Sequence, residues 1–567
     1  MGLGTTRAVA LVGLSGHVVE VQAHLAASVP GFVLVGLPDT ALSESRDRVR
    51  AAVTSSGIAW PQRKVTINLS PAALPKSGTG FDVAIAVALL AGAQVLPAGA
   101  ADGVVHLGEL GLDGRLQPVR GVLPAVAAAV AAGFPDVVVP AADVAEARLV
   151  PGARVVGAAS LADVARLHGA SLEGADESAA PVVVPRPVVP VARPGDLSEV
   201  VGQDEARHAL EVAAAGGHHL LLVGAPGAGK TMLASRLPGI LPDLTESEAV
   251  EVTAVHSVAG VFDPGAGLVH RPPYEDPHHT ATPAAIVGGG SGLPRPGAAS
   301  RAHRGVLFLD EAPEFGARVL QTLRQPLEHG ELVIHRAGGT ARYPARFQLV
   351  LAANPCPCGQ GVGKGLECTC SSVAQRRYFG RLSGPLLDRV DVQVEVRPVT
   401  RVERARAAAP EPSAVVAARV AAAREAAASR LAGTPWRTNG EVPGTWLREQ
   451  LGPDAGLLAD VDRALDRGTL SLRGADRVLR LAWTVADLAG RAAPTRADVG
   501  TGLALRTRGY RACARVRGRA PCVRRPRRTP RARGVVARRR TGGPGRGRAR
   551  RPARRRSGAR VAPRGGP

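Results

Sequence analysis

The chain has 567 residues, of which 45% are apolar and 3% aromatic, with 71 basic and 48 acidic side chains. That apolar share excludes a wholly disordered chain, and the length points to three or four domains. The formal charge of +23 suggests a polyanion binder. Yet residues 511–567 hold 22 Arg and no Asp, Glu or Lys, leaving 49 basic against 48 acidic groups in residues 1–510.

Six Cys, two of them in that basic stretch, exclude a disulfide scaffold and point to a reducing, cytoplasmic setting. The N-terminus, MGLGTTRAVALVG, continues into a strand-like pattern and does not read as a signal peptide. Residues 1–165 alternate strand and helix signals. A helix is predicted over 41–56, ending at Gly57, with strands at VTINL (65–69) and VVVP (137–140). The uncharged run Val83–Ala101 is long enough for a membrane span. Gly92, Gln94 and Pro97 interrupt it, so a buried helix of about 14 residues is expected instead. A Pro/Val-rich run over 178–195 reads as an extended linker.

The α/β pattern then resumes. LLLVGAPGAGKTMLA (220–234) is an apolar strand entering Gly224-x-x-x-x-Gly229-Lys230-Thr231 and a helix. Such glycines, Gly227 among them, let backbone N–H groups wrap a polyphosphate, with Pro226 in the same turn. Lys230 reaches the outer phosphates and Thr231 supplies a Mg²⁺ ligand. The chain uses Lys only four times against 67 Arg, yet places one here, where a guanidinium would not fit. GVLFLDEAPEF (305–315) is a second buried strand ending in two carboxylates. Asp310 would hold Mg²⁺ through water, and Glu311 would orient and deprotonate the attacking water. FQLVLAANPCPCG (347–359) is a third strand, ending in Asn354, which would polarise the same water.

Cys356, Cys358, Cys368 and Cys370 follow at once. Two thiol pairs across a short loop suit a structural Zn²⁺, although C-x-C is tighter than the usual C-x₂-C spacing; four reduced structural thiols are the alternative. Residues 331–347 read as a hairpin around AGGT, and residues 401–510 as Ala/Arg/Leu-rich helices. His278 and His279, being adjacent, cannot both face one ion on a regular element, so a metal site there is not expected. Residues 511–567 form an Arg/Pro/Gly tail that suits either a polyphosphate-binding arm or an off-frame translation of GC-rich sequence.

Together these motifs resemble the AAA+ ATPases, and more narrowly the magnesium-chelatase-like YifB/ComM family. The likeness covers about residues 1–510, and is carried also by VGLPDTALSESRDRVRAA (35–52), INLSPAALPKSGTGFDVAIA (67–86), VVGQDEARHALEVAAAGGHHLLLVG (200–224), PHHTATPAAIVGGG (277–290) and LSGPLLDRVDVQVEV (382–396). The resemblance implies an α/β protein in four parts. These are a Lon-protease-like α+β domain (1–170), a linker (171–195), a P-loop AAA+ core with a parallel sheet (196–400) and a C-terminal helical lid (401–510), with a basic tail (511–567) that lies outside the likeness and is expected from its composition to be disordered. It implies a hexameric ring hydrolysing ATP with Mg²⁺, in which Arg389 acts as an arginine finger. Arg473, with Arg477 in reserve, would be the sensor-2 phosphate contact, and VVGQ (200–203) would line the adenine pocket.

The resemblance further implies that the hairpin faces a ring pore, where Arg336, Arg342 and Arg346 would meet a phosphate backbone; a merely solvated hairpin is the alternative. Three classes of substrate compete. DNA is favoured, since the family includes a ring helicase that drives branch migration; a chelatase-type motor remodelling a partner protein comes second. A peptidase is third. The Lon nucleophile position falls on Gly80 and that of its partner lysine on Leu123, so peptidase activity is not expected.

Overall fold

The computed structural model describes residues 2–36, 39–76, 78–172, 180–182, 195–290, 294–336, 339–361, 367–382, 384–451 and 456–517. Most of the linker, Ser77, Lys364 and the tail beyond Arg517 lie outside them.

The N-terminal part is built on a seven-stranded mixed sheet. Its order is Gly31–Val35, Lys64–Ser70, Ser15–Ala26, Gly2–Val12, Val105–His106, Asp136–Pro140 and Arg154–Ala158. The first two long strands pair antiparallel in full register from Gly2↔Leu25 to Val12↔Ser15, as alternating apolar residues joined by a tight turn dictate. The predicted helix over 41–56 forms as Thr40–Ser43 and Ser45–Ser55. The run from Val83 forms the helix Asp82–Gly92, 11 residues long and buried at nearly every position. It is shorter than expected because Gln94 takes a left-handed φ of 63° just beyond it. Among the described residues, no helix is long and apolar enough to cross a membrane.

The core sheet is wholly parallel, with strand order Tyr274–Glu275, Val306–Leu309, Gln348–Ala353, Leu220–Gly224 and Val392–Val396. The middle strands are continuous apolar runs, as a sheet covered on both faces requires. The three motif strands are direct neighbours, so their C-terminal ends deliver Gly224, Asp310 and Asn354 to one edge. Helices follow from Arg401–Arg406 onward, and Leu472–Leu488 packs its apolar face onto Ser413–Arg430 and the final helix, Arg496–Arg517.

A buried polar network joins this helical part to the core. Arg477 pairs with Asp391, Asp391 meets His218 Nδ1 at 3.0 Å, and His218 Nε2 lies 2.8 Å from Thr484 Oγ1. Asn439 donates to Thr484 and to Asp487, and Arg430 pairs with Asp487 at 2.6 Å. Burial opposes the charge on Asp391, but Arg477 and His218 outweigh it and hold the carboxyl far below its ordinary range.

Candidate nucleotide site

The loop after Leu220–Gly224 turns through Gly227 (φ 75°) and Gly229 (φ 92°), left-handed angles that glycine adopts without strain. Lys230 is 7% exposed and folds back onto this loop. Its Nζ donates to the carbonyls of Gly224 and Ala225 at 2.8 and 2.9 Å and to Asn354 Oδ1 at 3.0 Å. Burial lowers its pKa, while Asp310 and Glu311 oppose the shift. Thr231 Oγ1 donates to Asp310 Oδ2 at 2.6 Å, so the two Mg²⁺ ligands read from the sequence are in contact. The same pair of oxygens fits a hard divalent cation.

Glu311 stands beside them with a left-handed φ of 49°. Its carboxylate lies 3.4 Å from His279 Nδ1, and its own N–H is held by Asp310 Oδ1 at 2.9 Å. His279 is thus a contact of the site that spacing alone does not reveal; its ring lies 4.1 Å from that of His278. The side chain of Gln203, the last residue of the VVGQ segment, donates to the carbonyls of Ala228 (2.5 Å) and Arg397 (3.3 Å), tying the phosphate loop to the strand beside it.

Arg389 and Arg473 are elsewhere. Arg389 precedes Val392, which pairs with Leu220 at the start of the sheet, about 13 Å of strand from Gly224. It forms an ion pair with Glu328 and donates to the Pro385 carbonyl at 2.6 Å. Arg389 and Arg473 line one 980 Å³ cleft at that far edge, with Arg477 and Arg480. Arg473 is exposed and has no ion-pair partner among the described residues, whereas Arg477 is committed to Asp391. No feature of the sequence announced that commitment.

The hairpin forms as predicted, Glu331–Arg336 against Gly339–Pro344. Its arginines diverge. Arg342 pairs with Glu331 at 3.1 Å, Arg346 lines the far cleft, and the side chain of Arg336 lies outside the described residues. In the N-terminal part, Gly80 brings no side chain and Leu123 is buried, its N–H donating to Glu146 at 3.0 Å. Lys76 is 1% exposed, its Nζ capping the carbonyls of Gly36, Pro71 and Leu74.

The four cysteines cluster as their spacing suggested, with all four sulfurs within 4.8 Å of one another. Burial pushes the Cys356 thiol up to about 12, while hydrogen bonding from the Gln360 backbone and the Cys356 thiol brings Cys358 down to about 6.

Comparison with known proteins agrees with this architecture. The family model described as magnesium chelatase, subunit ChlI, matches residues 196–404. Those described as subunit ChlI of Mg-chelatase and as the ChlI C-terminal part match residues 20–143 and 410–506. YifB of Escherichia coli is 39% identical over 489 residues, 86% of this chain and 94% of YifB. The chain belongs to the magnesium-chelatase-like YifB/ComM family. Another member, competence protein ComM of Haemophilus influenzae, is 38% identical over 498 residues, 86% of this chain and 94% of that one. A Mycobacterium tuberculosis protein is 51% identical over 511 residues, 90% of this chain and its own entire length.

Proposed function

We propose that this YifB/ComM-family protein is an ATP-hydrolysing AAA+ motor that works as a hexameric ring on DNA in the cytoplasm. The observation that carries the ATPase reading is the meeting of Lys230, Thr231, Asp310 and Asn354, at 2.6–3.0 Å, on the ends of three adjacent parallel strands. Mg²⁺ held by Thr231 and Asp310 would neutralise charge on the outer phosphates. Lys230 exchanges its acceptors, Asn354 Oδ1 among them, for phosphate oxygens, which frees the Asn354 amide to orient a water. Glu311 accepts the proton of that water once it leaves His279.

Arg389 and Arg473 stand at the opposite edge of the sheet from their own phosphate loop. Such placement suits groups that complete a neighbour's site, where a guanidinium neutralises charge on the transferring phosphoryl group. We assign the four cysteines as ligands of a structural Zn²⁺. The N-terminal domain, Lon-like in its motifs, lacks a hydroxyl at Gly80 and a base at Leu123, which favours an assembly or substrate-engaging role over peptidase activity.

DNA is supported by the exposed hairpin bearing Arg342 and by the competence protein among the relatives. The match to a magnesium-chelatase subunit favours a second reading, a chelatase-type motor that remodels a partner protein. ATP turnover, measured with and without forked DNA on the full chain and on a chain ending at Arg517, separates them. Stimulation of both chains, abolished by Lys230→Ala, supports the DNA motor. Turnover that ignores DNA in the shorter chain leaves the protein-remodelling reading in its place.

A further inference from the structure

The four sulfurs are spaced for one tetrahedral ion. Cys356–Cys358, Cys356–Cys368 and Cys358–Cys368 are separated by 3.3, 3.6 and 3.7 Å, and Cys370 lies within 4.8 Å of all three. Metal–sulfur bonds of about 2.3 Å require tetrahedral edges of about 3.8 Å. An all-thiolate set selects a soft or borderline ion such as Zn²⁺ over Mg²⁺ or Ca²⁺ and leaves no open coordination position. Supporting donors are present: Gly361 N–H points at Cys356 Sγ (3.2 Å) and Gln375 Nε2 at Cys368 Sγ (3.3 Å).

The position of the cluster gives it a consequence for the nucleotide site. Cys356 is two residues beyond Asn354, whose side chain holds Lys230. Gly359, between the first two ligands and the rest, has a φ of 77° and sits against Pro226 of the phosphate loop. A Cβ at Gly359 would lie 2.6 Å from Pro226 Cδ, a separation that no side chain tolerates without a shift. The cysteine loop is thus one wall of the phosphate loop.

We infer that Cys356, Cys358, Cys368 and Cys370 hold one Zn²⁺ that braces the phosphate loop through Gly359 and Asn354, so that metal and nucleotide bind cooperatively. Only the nucleotide half rests on the ATPase reading above. Zinc joins residues 356 to 370 and removes the freedom of the loop that touches Pro226. A bound nucleotide fixes the other side of the same contact. By linkage, each ligand must then strengthen the other's binding by one common factor.

The test uses the full chain purified under reducing conditions with Zn²⁺ supplied. Metal analysis should give one Zn²⁺ per chain, a value well below one for Cys368→Ser, and one again for Cys368→His, which keeps a ligand at that position. Release of zinc to a chromogenic chelator should slow about fivefold or more when Mg·ADP is present. Lys230→Ala should abolish that protection. Fluorescent ADP should bind Cys368→Ser more weakly by about fivefold or more and recover in Cys368→His.

Gly359→Ala keeps all four ligands, so it should retain zinc yet lose nucleotide affinity, and it serves if the Ser variant does not fold. Absence of zinc from the wild type, or full zinc in Cys368→Ser, overturns the site. Zinc release indifferent to nucleotide, or Gly359→Ala binding ADP normally, overturns the brace. A chain that binds zinc but no nucleotide at all refutes the ATPase reading instead, and the zinc stoichiometry still judges the site.

Discussion

Two of the four lysines, Lys76 and Lys230, are buried in motif segments, one in each half of the molecule, at 1% and 7% exposure. Burial lowers the pKa of both. Their partners differ. Lys76 caps three backbone carbonyls, which cannot leave without unfolding the turns that carry them. Lys230 holds two carbonyls and one side-chain oxygen, Asn354 Oδ1, with Asp310 and Glu311 near enough to favour its charge. A lysine whose acceptors are exchangeable can pass to phosphate. One whose acceptors are all backbone is a rivet.

The sharpest way to break this comparison is to remove each lysine. Lys230→Ala should reduce ATP turnover to background, a loss of about 100-fold or more, with little change in unfolding temperature. Lys76→Ala should do the reverse. It strands three buried carbonyls and costs about 3 kcal/mol in urea unfolding, while turnover per folded molecule stays near wild type. Lys76→Ala with full stability and no turnover would sink the distinction.

On the ring reading Arg389 extends the comparison beyond one chain, because its ion-pair partner Glu328 is exchangeable and lines the same far-edge cleft, away from its own phosphate loop. Arg389→Ala should cut turnover by about 10³-fold. Mixing it with Lys230→Ala should restore part of the activity, since each variant supplies what the other lacks across an interface. No recovery on mixing, with rings verified by sedimentation, would place Arg389 outside the shared site.

The core was legible in the sequence because its motifs are local. An apolar run that ends in Gly-Lys-Thr, Asp-Glu or Asn reads as a strand end without any tertiary knowledge, and parallel pairing then brings the ends together. The same holds for the cysteine pairs and for the hairpin around AGGT. Arg477 was not legible: as a helix arginine it looks like Arg473, and only folding brings Asp391, 86 residues away, against it. Nor was the parting of Arg342 from Arg346, because Arg346 lies past the end of the strand and turns into the far cleft. Contacts between elements leave no local pattern, so they escape a reading by period and spacing.

Asp391 tests whether the helical part is riveted to the core in the way Lys76 is riveted to its turns. Asp391→Asn removes the charge facing Arg477 and should cost about 3 kcal/mol, with the far-edge arginines loosened and turnover lowered. Because its folded pKa is depressed, Asp391 stabilises the fold fully above the ordinary carboxylate pKa of about 4 and loses that contribution only below it. A pH-dependent loss of stability above pH 5 must therefore come from other groups.

Those groups are the buried imidazoles, among them His106 in one half and His219 in the other, and theirs is the smallest expected effect. His106 in the N-terminal sheet is 0% exposed and is brought down to about 3 by burial and then by His168. His219, on the wall of the far cleft, is brought down to about 4 by burial, with Asp391 opposing. In both cases the unfolded chain takes up a proton below about pH 6.5 that the folded chain refuses, so stability rises with pH through that window. Going from pH 6.5 to pH 5, His106 should remove about 1.4 kcal/mol per unit. His219, which water reaches from the cleft, should remove less. Urea midpoints at pH 7.5, 6.0 and 5.0 read the sum, and His106→Gln should flatten the slope more than His219→Gln. Equal flattening would show that the cleft seals His219 as fully as the sheet seals His106. A midpoint that does not move between pH 7.5 and 5.0 would mean that these imidazoles, with His168, His256 and His303, accept their protons in the folded state.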